Sequence, residues 1–193
     1  RKNKSWLPFV LNVSIALTVI CIAGFGITYL KADSYVNEEI RTRARSYFTA
    51  IVITRKWNAS YGGVYVEKKK GVLSNPYSKT PDIRSTDGRK YTMKSSSVMT
   101  MEISKIAGRE GYFSYKMTSL KPLNPSNTPD PFEAVSLASF EHGAKENSEK
   151  KSISDHTVYR YIAPLYVTEE CMECHGQQNY KTGDVRGGIS VTF

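Results

Sequence analysis

Along the chain the apolar residues fall into three patterns. Residues 5–30 carry no charge and are apolar all round, residues 33–57 place apolar side chains every three or four positions, and the rest alternates short apolar runs with clusters of Pro, Gly, Asn, Ser and Asp. A bilayer-spanning helix needs roughly 20 mostly apolar residues, and a helix on the surface of a soluble domain would show a polar face. Residues 5–30 therefore predict a transmembrane helix, with Trp6 and Tyr29 at the two interfaces where aromatics are favoured. Asn12, Ser14, Thr18 and Thr28 are tolerable there because their side chains can bond back to the helix. Arg1, Lys2 and Lys4 precede the span, so the positive-inside rule puts the N-terminus in the cytoplasm and the residues after Lys31 outside. The expected location is the inner (cytoplasmic) membrane, crossed once. A cleaved signal peptide is the rival reading, but the apolar run is too long and no small-x-small cleavage site follows it. Cys21, inside the span, reads as a small packing residue.

Beyond the span, Val36, Ile40, Ala44, Tyr47 or Phe48, and Ile51 recur at helical spacing, with Glu38, Glu39, Arg41, Arg43 and Arg45 mostly on the other side. This predicts an amphipathic juxtamembrane helix over about 33–57. Asp33 and Ser34 either cap it or continue the span. The helix can pair with a copy of itself in a homodimer or pack on its own domain. Gly62-Gly63 ends it. Strands are expected at 64–66, 112–120, 159–167 and 185–193, and a strand or an extended lead-in at 90–94. Helices are expected at 97–107, patterned on Val98, Met101 or Glu102, and Ile106, and at 132–146, with Val135, Ala138, Ser139 and His142 on one stripe. Residues 74–88, 121–131 and the polar stretch 143–155 read as loops. Strands with helices between them make an α+β domain on an antiparallel sheet. The expected organisation is tail and transmembrane helix over 1–30, juxtamembrane helix over 31–60 and a folded domain over 61–193. The chain opens on Arg1 and stops at Phe193 inside a strand-like run, as a piece of a longer protein would.

Charge adds little. The formal net charge is +9 in 193 residues. The basic residues are scattered apart from Lys68-Lys69-Lys70, which reads as a solvated turn, and there is no basic motif, so no nucleic-acid partner is expected.

Chemistry enters with Cys171-Met172-Glu173-Cys174-His175, a C-x-x-C-H motif. Two thiols three positions apart can reach the two vinyl groups of one haem, and the following His is placed to ligate the iron. One covalent haem c is thus expected on Cys171 and Cys174, with His175 as axial ligand. A zinc site would need a second ligand pair; the other Cys is Cys21 in the span, and His142 and His156 have no zinc spacing. A redox dithiol would follow the first strand of a βαβ unit, and a disulfide within the motif would be a strained ring. The expected outer side of the membrane is also where bacterial c-type haem is attached. The sixth iron position is open to water, can stay empty, or takes a residue from elsewhere; the residues to consider are Met93, Met99, Met101, Met117, Met172, His142 and His156, of which the two histidines flank the polar stretch and read as surface residues. Arg160, Lys121 and Arg186 are candidates to neutralise the haem propionates.

Further stretches carry a resemblance: WNASYGGVYV over 57–66, NPY over 75–77, TSLKPLNP over 118–125, YRYIAPL over 159–165 and GDVRGGISV over 183–191. Together with the haem motif they resemble the bacterial c-type haem family long called a domain of unknown function. The resemblance covers nearly all of the chain after the anchor and implies a PAS-like fold. It also implies a place as the extracytoplasmic sensing part of signalling proteins, or as a small stand-alone haem protein. A family segment that usually reads Asn-Pro-Ala, an apolar residue, then Met-Thr-Arg corresponds to Ser95-Ser96-Ser97, Val98, and Met99-Thr100-Met101. The resemblance makes Met99 the leading sixth ligand, and the departures at Ser95 to Ser97 and at Met101 leave the pocket's detail open.

The expected function is haem-based redox or gas sensing by a membrane-anchored periplasmic or extracytoplasmic domain, working with a downstream signalling domain or a redox partner. The alternative is an electron-transfer cytochrome subunit of a membrane complex. A third reading is a haem that serves only to let the domain fold. No base–nucleophile arrangement or phosphate loop points to an enzyme.

Overall fold

A computed structural model describes residues 6–75, 78, 80–153, 156–169, 172 and 179–193, with Ile153 described in its backbone alone. The chain divides into two units, Arg1–Thr42 and Arg43–Phe193.

One helix, α1 (Trp6–Ser60), takes in both expected N-terminal helices without a break. It is long and apolar enough, by length and composition, to cross a membrane. The Thr18 and Thr28 hydroxyls donate to the carbonyls of Ser14 and Gly24, both at 2.8 Å, so they are satisfied inside the helix. Ser34 likewise donates to Leu30 O at 3.3 Å, and Asn37 Nδ2 to the Asp33 carboxylate at 3.1 Å. Asp33 and Ser34 thus bond within the helix and do not start a new one.

Within unit 2, α1 ends at Ser60. Gly63 N–H donates to Asn58 O, and Gly62 and Gly63 take φ of 67° and 107°, values that L side chains rarely adopt. Among the described residues, seven strands follow in two antiparallel sheets, β1 (Val64–Glu67), β2 (Asp82–Arg84) and β3 (Lys90–Lys94) in the order β1-β3-β2, and β4 (Ser114–Thr118), β5 (Asn147–Ile153), β6 (His156–Tyr166) and β7 (Val185–Thr192) in the order β4-β7-β6-β5. The helices α2 (Ser96–Arg109) and α3 (Pro131–Glu141) precede β4 and β5 respectively.

The α+β class and the antiparallel pairing are as expected, and four corrections apply. The strands form two sheets, because β1 pairs with β3 and none of the larger sheet's strands. The polar stretch 143–155, expected as a loop, carries β5: an edge strand bonds to one neighbour, and Lys150, Lys151 and Ser152 serve on an exposed edge. The loop 74–88 contains the three-residue strand β2, held through Asp82, whose carboxylate takes a bond from Lys68 Nζ at 2.5 Å. That bond holds the Asp82 carboxyl down to about 2 and makes Lys68 an ion-pair partner as well as part of a turn. Finally, α3 stops at Glu141, and the stripe through Val135 faces outward with Val135 71% exposed. Its inner face is Glu133, Ser136, Leu137 and Phe140.

Register sorts the faces of the larger sheet. Tyr115, Val191 and Tyr161 stand opposite one another, as do Met117, Ile189 and Ala163, so these six share a face. Ile162 lies on the other face, in a core with Leu137 and Phe140 of α3. The Tyr161 face meets α1. Phe48 packs edge-on to Tyr161 at 6.3 Å, and Tyr47 stacks on Phe113 at 4.2 Å. Arg45 forms a two-pronged bond to Glu146, which also accepts from Tyr161 OH at 2.7 Å. Ala44, Phe48 and Ile51, expected on one stripe, are thus the inward side of α1 here.

Candidate functional site

The haem motif belongs to the connection between β6 and β7. A register irregularity at Leu165 and Tyr166 breaks the ladder. Beyond it Val167 N–H donates to Asp184 O and Gly183 N–H to Val167 O, each at 2.9 Å. Asp184 then closes a turn, its carboxylate accepting from Lys181 N–H at 2.7 Å. Residues 168–182 connect β6 to β7, and these bonds close the connection at its foot on the sheet. Cys171, Cys174 and His175 fall within this connection and lie outside the described residues.

At that foot stand two of the three basic candidates. Arg186 Nη1 donates to Ser119 Oγ at 2.8 Å and to Lys121 O at 3.4 Å, and its guanidinium lies 5.0 Å from the Tyr180 ring centre. Ser119 Oγ in turn donates to Arg186 O at 2.9 Å. Gly187 permits this closeness, since a Cβ there would collide with Thr118 O. The structure thus brings Arg186 and Lys121 together. Arg160 is elsewhere: it stands opposite Thr192, six positions along β7 from Arg186, about 20 Å at strand rise. Its guanidinium bonds Asp130 at 2.6 Å and Glu149 at 2.8 Å and lies 3.5 Å from Glu133. Burial works against the Asp130 charge, but Glu133 N–H and Arg160 outweigh it and hold that carboxyl below its usual range.

Met99 sits in the first turn of α2 and is half-buried. Ser95, where the resemblance departs from Asn-Pro-Ala, is the N-cap of α2, its hydroxyl accepting from Val98 N–H and from Asn75 Nδ2. The face of α2 toward β4 is Thr100, Ser104 and Ala107, not the expected Val98–Ile106 stripe. Thr100 and Ala107 are buried there, and Ser104 Oγ bonds both the carbonyl and the N–H of Tyr115. Met93 packs over Gly63, whose added Cβ would meet its sulfur at 3.0 Å. His142 and His156 are exposed, as expected.

Sequence reasoning passed over Arg55. Its Nη1 donates to Ser96 O at 3.2 Å, to Thr100 Oγ1 at 3.0 Å and to Met117 Sδ at 2.9 Å. A signal was available: Arg55 continues the stripe of Phe48 and Ile51 by one turn, and a charge on the inward stripe of a helix calls for partners.

The donor set of the connection, two thiols and an imidazole, matches what a covalently bound haem requires. At the same end of the sheet Leu120 and Tyr166 are exposed. Among the described residues no cluster of His, Cys, Asp and Glu could hold a free metal ion.

The model of the Tll0287-like family matches residues 31–193. Among solved structures, the crystal structure of the cyanobacterial heme-protein Tll0287 is similar, with a TM-score of 0.50 and 18% identity over 80% of this chain and 94% of that one. A likeness at that identity speaks for the fold alone. No curated protein matches the chain. With the family model spanning residues 31–193, the chain belongs to the Tll0287-like family.

Proposed function

We propose that the chain is a membrane-anchored haem c protein that senses redox state or a gas ligand outside the inner membrane. One haem would be bonded to Cys171 and Cys174, with His175 on the iron. The observation that carries this reading is the C-x-x-C-H motif set in the connection between β6 and β7, closed at its foot on the sheet, in a chain of a family with a heme-protein among its solved relatives. Bound haem supplies an iron that changes oxidation state and takes diatomic ligands. The chain's own residues do the rest. The connection holds the attachment points. Lys121 and Arg186, which meet at its foot, are the proposed propionate partners, whereas Arg160 already serves three carboxylates at the far end of the sheet. Met99 is the proposed sixth ligand.

We read the larger sheet, with its last strand β7 inserted between β4 and β6 and α3 covering one face, as PAS-like. Sensing is favoured over electron transfer by α1, which carries both the apolar span and the residues that pack on the Tyr161 face. A change at the sheet therefore has a continuous helix to act on, and through it a partner helix or a transmitter domain.

The test is to express the full chain with cytochrome c maturation machinery and record ferric and ferrous spectra of the membrane fraction, with and without CO or NO. Haem in the membrane fraction whose spectrum shifts with the gas supports sensing. A His/Met spectrum indifferent to both gases would shift the reading to an electron-transfer subunit. Haem only in the soluble fraction would contradict the anchor.

A further inference from the structure

Arg55 joins three elements through one nitrogen. It projects from α1, the helix of the apolar span, and bonds Ser96 and Thr100 of α2 and Met117 of β4. The α2 contacts form a relay. Thr100 Oγ1 donates to Ser96 O at 2.5 Å and accepts from Arg55, and Thr100 is 2% exposed. Ser96 and Thr100 bracket Met99 within a single helical turn, and Met99 N–H bonds Ser95 O at 2.9 Å. Whatever holds Ser96 and Thr100 therefore also sets where Met99 stands. Met117, the third partner, lies on the edge strand β4 opposite Ile189, on the face that α1 covers.

We infer that Arg55 is a positioning residue for the sixth haem ligand, fixing the Met99 turn of α2 to α1 and so making ligation at Met99 and the placement of α1 one coupled event. The inference rests on the proposed haem site and deepens it by naming the residue through which the site reaches the helix. Arg55 holds the turn with hydrogen bonds that a lysine reproduces in part and a glutamine hardly reaches, since a planar guanidinium presents several donors at a fixed distance from the backbone.

The experiment uses the full haem-loaded chain with Arg55→Lys, Arg55→Gln, Thr100→Val and Met99→Leu, and the double variant Arg55→Gln with Met99→Leu. Absorption spectra, CO association rate and midpoint potential are read in each, beside the melting temperature. Arg55→Gln is expected to loosen the sixth ligand, raising the CO association rate about tenfold or more, the size of a coupling near 1.4 kcal/mol. Arg55→Lys should recover part of this, and Thr100→Val should shift the rate in the same direction by less. In the Met99→Leu background Arg55→Gln should add nothing, because the two changes then act on the same ligand. Unchanged spectra, rate and potential in Arg55→Gln, with only a lower melting temperature, would overturn the inference. So would an Arg55→Gln effect that persists without Met99. If Arg55→Gln does not fold, Thr100→Val decides, and an unaltered rate there overturns the inference. Wild-type chain without covalent haem would overturn the proposed function itself, which the variants cannot mimic.

Discussion

Tyr115 and Tyr161 both lie buried on the face that α1 covers, and burial pushes both phenols up, Tyr115 to about 12. For Tyr161 the neighbouring Glu146 carboxylate adds to the rise. A phenol whose folded pKa exceeds its ordinary value of 10.0 stabilises the fold fully below that value. The stability is lost as pH climbs from there through the folded pKa, because the unfolded chain releases the proton first. Denaturant titrations should accordingly show stability flat at neutral pH and falling between about 10 and 12, with a shallower fall in Tyr115→Phe. Tyrosinate absorbance showing all phenols of the folded protein ionising together near 10.0 would contradict this. Residues differ in how well they can be read from sequence for a related reason. Cys171, Cys174 and His175 fall within five positions, so spacing alone proposes them. Arg55 and Glu133 also bond partners 62 and 17 positions away, Met117 and Lys116; the stripe says that Arg55 needs partners and the capping box names Asp130, but no local pattern names the distant ones.

α3 begins with a capping box that also serves as an anchor to the sheet. Asp130 accepts from Glu133 N–H at 3.0 Å, and Glu133 Oε2 accepts from Asp130 N–H at 3.1 Å and from Lys116 Nζ at 2.9 Å. Glu133 is 2% exposed, so removing its carboxylate strands Lys116 and loosens Arg160 while opening the cap. Glu133→Ala should therefore cost about 3–5 kcal/mol in denaturant unfolding, as for a broken buried ion pair. Glu133→Gln, which can still close the box, should cost less. A loss below about 1 kcal/mol for the alanine would mean that the pair is no better than a surface one. The same helix shows where periodicity misleads. Its buried stripe includes a glutamate and a serine, so hydrophobicity alone placed the core on the Val135 side. β3 falls on the expected 90–94 because its alternation is backed by neighbours on both sides. β5 was illegible because an edge strand with lysines pointing out carries the polarity of a loop.

Two sheets, where one was expected, follow from pairings that only the folded chain brings about. β1 and β3 are joined across residues 68–89, a stretch whose polarity gave no hint of β2 at the outer edge of that sheet. In the larger sheet the long β6–β7 connection leaves at the end where Arg186, Lys121 and Leu120 gather. The long apolar helix and the inward stripe of α1 were legible because each is a local pattern of composition or spacing. The central claim is that the β6–β7 connection carries covalent haem, and the most direct measurement is made on denatured protein. The chain, produced with cytochrome c maturation machinery, is unfolded and extracted with acidified acetone, and then weighed by mass spectrometry. The account predicts one haem retained per chain, lost when Cys171 and Cys174 are both replaced by alanine. Haem that extracts freely from the wild-type chain, or a chain mass without haem, would contradict it.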